Sequence, residues 1–76
     1  MYKGFAYFSK GHGGIDVATV SPTKRGAMVN ALVRVYGTPI FASHSDEEIE
    51  KLFEFCAAKN PTNAAQIVEV SITVVG

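Results

Sequence analysis

The run Gln66-Ile67-Val68-Glu69-Val70-Ser71-Ile72-Thr73-Val74-Val75 constrains this chain more than any other stretch. From Val68 to Val74 it alternates apolar with polar, so Val68, Val70, Ile72 and Val74 share one face and Glu69, Ser71 and Thr73 the other. A strand of that kind needs a sheet to join and a layer to lie against its apolar side. In 76 residues there is room for one small sheet and one such layer, hence a single domain over residues 1–76.

The rest of the chain supplies both. Residues 2–9 are aromatic and extended, "KGHGG" over 10–14 is a glycine-rich turn, and residues 15–20 are β-branched, which together predict a hairpin over residues 2–20. A helix follows, with Ser21 as N-cap, Pro22 at its first position and Gly37 closing it. Its apolar stripe is Val29, Leu32, Val33 and Tyr36, widened by Met28 and Val35. Ser45 and Glu48 form a capping box for a second helix, which carries Ile49, Leu52, Phe53, Cys56 and Ala57 on one side and ends near Asn60-Pro61. Between the helices, residues 38–44 connect, with room for a short extended piece at Ile40–Ala42. The expected fold class is α+β, a small two-layer sandwich of order β-β-α-α-β, with two helices on one face of a mostly antiparallel sheet.

Such a sheet has a second face. Placing Tyr2, Ala6 and Phe8 under the helices turns Phe5 and Tyr7 outward, joined by Ile67 from the last strand. An apolar patch there calls for a partner, and the expected one is a second copy of the chain with Phe5, Tyr7 and Ile67 at the interface.

Composition narrows the class. With one cysteine, Cys56, there is no intramolecular disulfide, and a reducing, cytoplasmic setting is expected. Neither a signal-peptide pattern nor a run of the ~20 apolar residues needed to span a bilayer is present. The net charge is zero, yet Lys3, Lys10, Lys24, Arg25 and Arg34 face only Asp16 before residue 45. After it, six carboxylates face Lys51 and Lys59. The two halves are expected to attract one another.

"KGFAYF" at residues 3–8 resembles the RNP1 strand of RNA-recognition domains. The likeness covers "KGFAY" and then fails, since Phe8 stands where an aliphatic belongs and Lys10 where an aromatic belongs. The strand also opens the chain instead of following a β-α-β segment, and neutral charge does not suit phosphate binding. Nucleic acid is therefore not the expected partner, although single-stranded binding through this strand is an alternative. His12, His44 and one Cys lack metal-ligand spacing. No cofactor and no catalytic role are expected.

The stretch Ser21-Pro22-Thr23-Lys24-Arg25 puts hydroxyls and cations at a helix N-terminus, where free N–H groups attract anions. Arg25 lies on the side of Leu32 and Tyr36, and either snorkels past the core toward a carboxylate such as Glu69 or is held for a ligand. Asn30 is placed on the opposite, polar face. Ser21, Thr23, Lys24, Arg25 and Asn30 are the candidate ligand-binding residues.

Finally, "IDVATVSPTKRGAMVNAL … SDEEIEKLFEF … VEVSITV" resembles a group of short uncharacterised tailed-bacteriophage proteins with a "D-x-x-T-V-S-P-T-K/R-R" strand-to-helix motif. The resemblance implies a non-enzymatic accessory protein in the host bacterial cytoplasm. It would bind a host protein or a small anionic ligand, in host takeover or counter-defence. A sponge for signal nucleotides is the alternative of that kind.

Overall fold

A computed structural model of the chain describes residues 2–37 and 43–75. The proposed extended piece at Ile40–Ala42 falls outside them. Strand β1 (Tyr2–Ser9), a 3-10 turn (Lys10–His12), strand β2 (Gly14–Ser21), helix α1 (Lys24–Tyr36), helix α2 (Asp46–Lys59), a second 3-10 turn (Pro61–Asn63) and strand β3 (Gln66–Ile72) follow in order. This is the expected α+β fold. The sheet order is β2-β1-β3 and both pairings are antiparallel.

The hairpin turn uses glycine where sterics demand it: Gly13 has φ 73° and Gly14 φ 126°. Gly37 ends α1 with φ 72°, its N–H bonding the Val33 carbonyl. The capping box of α2 is formed as the sequence predicts. The start of α1 lies two residues later than expected. Thr23, not Ser21, is the N-cap, because β2 continues through Ser21 to pair with Phe5.

The core is formed by Met28, Ala31, Leu32, Ile49 and Phe53, with Tyr7, Ile67, Leu52 and Cys56 packed against it. The buried side of α1 is rotated from the stripe read in the sequence. Ala27 and Ala31 are enclosed while Val35 and Tyr36 are 55% and 43% exposed. Small side chains let the helix backbone approach the sheet, and Tyr7 of β1 packs against the core beside them. Contacts 25 to 46 and 36 to 56 show that α1 and α2 run in the same direction.

That packing reverses the expected faces of the sheet. Tyr7 meets Phe53 edge-on at 6.0 Å, and Tyr7 and its cross-strand partner Ile67 both touch the helical core. The β1–β3 register is regular from Tyr2 to Phe8. By alternation, Phe5 shares the helix side with Tyr7 and Ile67, whereas Tyr2, Gly4, Ala6, Phe8, Val68, Val70 and Ile72 lie on the other. Ile72 Cδ1 closes over Gly4, within 2.8 Å of where a Cβ would stand. On this second face Gly4 and Ala6 are themselves buried, Ala6 at 0% exposure, while Phe8, Val68, Val70 and Ile72 are half-buried around them.

Candidate functional site

Three places gather chemistry: the β2–α1 junction, the cleft between the two helix starts, and the open side of the sheet. The junction starts from an irregularity. Phe5 pairs with Ser21 and Tyr7 with Asp16, so four residues of β2, 17–20, stand opposite Ala6 alone. The excursion is held from within. Asp16 Oδ1 accepts the Ala18 N–H at 3.1 Å, and the Thr19 hydroxyl donates to the Asp16 carbonyl at 2.6 Å. The same Thr19 oxygen accepts the Tyr7 N–H at 2.8 Å, replacing the ladder bond that the bulge removes. Thr19 is fully buried.

Helix α1 then grips this bulge from above. Asn30 donates to the Thr19 carbonyl at 3.1 Å, so it faces the sheet edge and not the solvent, correcting its expected placement. Arg34 Nε contacts Asp16 Oδ2 in an ion pair whose carboxylate is 9% exposed. That oxygen has no other partner among the described residues and meets Arg34 without a well-aligned hydrogen bond. Tyr7, Asp16, Ala31, Arg34 and Val35 line a cleft of about 120 Å³ beside this pair.

The predicted ligand residues sit at the next turn of the chain. Ser21 Oγ accepts the Thr23 N–H at 3.4 Å, and Thr23 Oγ1 accepts the Gly26 N–H at 3.0 Å. Gly26 is packed so closely that an added Cβ would collide with Ser21 Oγ and lie 2.9 Å from Ser21 Cβ. Arg25 donates to the His44 carbonyl at 2.6 Å and pairs with Asp46 at 2.5 Å. Its carboxylate is thus at the start of α2, not Glu69, which pairs with Lys3 at 3.5 Å. These cross-links between the basic and acidic halves offset the unfavourable cation at a helix N-terminus. Ser21, Thr23, Arg25 and Asn30 are each committed to the fold, while Lys24 is exposed.

Lys24, Arg25, Met28, Asp46, Ile49 and Glu50 border a second cleft of about 190 Å³. Two carboxylates there face two cations, which leaves little net field for an anion. At the other end of the helix pair, the Tyr36 hydroxyl and Cys56 Sγ are 2.9 Å apart. The hydrogen bond to Cys56, and after it partial burial, push the Tyr36 hydroxyl above its ordinary pKa. Among the described residues no three His, Cys, Asp or Glu side chains are placed to hold a metal ion.

The open side of the sheet is different in kind. Phe8, Val68, Val70 and Ile72 are half-buried there, and Tyr2 and Ile15 are exposed at 64% and 49%. Phe5, Tyr7 and Ile67, the residues expected at an interface, are on the helix side instead. The sequence pattern expected these three residues to face away from the helices, and Tyr7 and Ile67 instead pack against the helical core. No helix of the described residues is long and apolar enough to cross a membrane.

No family model, no curated protein and no solved structure matches the chain.

Proposed function

We propose that this chain is a non-enzymatic accessory protein of the phage type its sequence resembles, acting in the bacterial cytoplasm by binding a host protein in takeover or counter-defence. The observation that carries the proposal is the apolar face of the sheet opposite the helices. Small monomers seldom leave a contiguous apolar surface without using it. Its accessible members are the exposed Tyr2 and Ile15 and the half-buried Phe8, Val68, Val70 and Ile72, set around a buried Gly4 and Ala6. The polar clefts support small-anion or signal-nucleotide binding less well, because Ser21, Thr23, Arg25 and Asn30 already have protein partners. Base stacking on Phe5 and Tyr7 is likewise less favoured, since both lie on the helix side.

Affinity capture from bacterial lysate tests the proposal when three baits are compared. Wild type and Lys24→Glu should retain the same host protein, and Phe8→Lys should lose it while remaining folded by circular dichroism. Loss with Lys24→Glu and retention with Phe8→Lys would move the site to the cleft.

A further inference from the structure

Both outer strands of a three-stranded sheet expose unpaired backbone, and here the two edges are not alike. The β2 edge is broken by residues 17–20, an irregularity of the kind that prevents another strand from adding. The β3 edge is regular over Gln66–Ile72, carries no proline and pairs only with β1 among the described strands. Beyond it Thr73, Val74 and Val75 run past the last β1 partner, Tyr2, and Val74 and Val75 are 73% and 94% exposed. The protomer exposes 5026 Å², against about 4,500 Å² for a compact monomer of this mass.

We infer that the β3 edge is completed by β3 of a second copy, antiparallel, about a two-fold axis at Ser71. A two-fold makes two identical strands antiparallel, so the same edge serves both partners. The sequence selects the register. Centred on Ser71, Ile67 meets Val75, Val68 meets Val74, Val70 meets Ile72 and Glu69 meets Thr73. Apolar meets apolar and polar meets polar throughout, with the chain segment beyond Ile72 used. Centring on Glu69 opposes two carboxylates, and centring on Val70 sets Ile67 against Thr73. A half-residue shift sends every apolar side chain to the wrong face. The product is a six-stranded sheet whose two open faces join into one continuous apolar platform.

This inference goes beyond the binding proposal and fails separately from it. Light scattering on eluted protein should give wild type twice the mass of one chain. Ser71→Lys and Ser71→Glu should each give one chain's mass, and their equimolar mixture should return to two. Oxidised Ser71→Cys in a Cys56→Ala background should form a covalent dimer, since directly opposed residues lie within disulfide reach. A monomeric wild type at high micromolar concentration, charge variants that stay dimeric, or no cross-link would each overturn it. A monomer that still captures a host protein through its open face would leave the binding proposal standing.

Discussion

The β2–α1 junction and the outer side of the sheet use similar amounts of chain to opposite ends. At the junction nearly every polar atom singled out has an internal partner: Asp16 with Ala18 and Arg34, Thr19 with Tyr7 and Asn30, Thr23 with Gly26, Arg25 with His44 and Asp46. On the outer side, Phe8, Val68, Val70 and Ile72 are only half-buried, and the β3 edge pairs with β1 alone among the described strands. A motif rich in Ser, Thr, Lys and Arg looks like a binding site in the sequence. Here it is the joint that fixes a bulged strand to a helix. Polar density in a sequence marks chemistry to be satisfied, and satisfaction within the fold leaves little for a ligand.

Breaking the joint should have the largest effects. Gly26→Ala forces a Cβ into Ser21 and should cost about 2–4 kcal/mol, seen as a large fall in the denaturant midpoint. Thr19→Val keeps the shape but strands the Tyr7 N–H and should cost about 1–3 kcal/mol by the same measurement. Ser45→Ala removes the N-cap of α2, for about 1 kcal/mol. Lys24→Glu should change stability by less than about 0.5 kcal/mol, because it breaks no contact of the joint. If Lys24→Glu proved as damaging as Thr19→Val, the contrast drawn between the cleft rim and the joint would be lost.

A pH titration examines the other half of the same capping box, the Glu48 carboxyl. The Ser45 backbone N–H, and then its side chain, hold the Glu48 carboxyl below its ordinary value of 4.5. A depressed carboxylate contributes stability that is present above the unfolded value and lost as pH falls through the folded one. Wild type should therefore lose more stability than Glu48→Gln, which has no carboxyl to titrate, on acidification below about pH 4.5. Equal losses would show that the capping box contributes nothing to acid sensitivity.

Much of this fold is legible in one sequence because local signals agree. Ser45 with Glu48, Gly37 with Pro39 and the alternation from Val68 to Val74 each mark an element without tertiary help. Three things were not legible. Thr19 and Asp16 look like ordinary strand residues, and only the register shift shows why they are needed. The bulge consumes the backbone at which Ser21 would otherwise begin the helix. The identity of the buried sheet face depends on how close α1 comes, and that is set by Ala27 and Ala31, residues a hydrophobic-stripe argument weighs least.

Tyr7 and Phe8 are adjacent aromatic residues on the central strand, and alternation puts them on opposite faces. Equilibrium denaturation of Tyr7→Lys and Phe8→Lys, measured side by side, tests that assignment most directly. A lysine at residue 7 would stand under the helices against Phe53, and several kcal/mol should be lost. At residue 8 the ammonium can reach water, and the loss should be about 1 kcal/mol. A folded, stable Tyr7→Lys beside an unfolded Phe8→Lys would contradict the account.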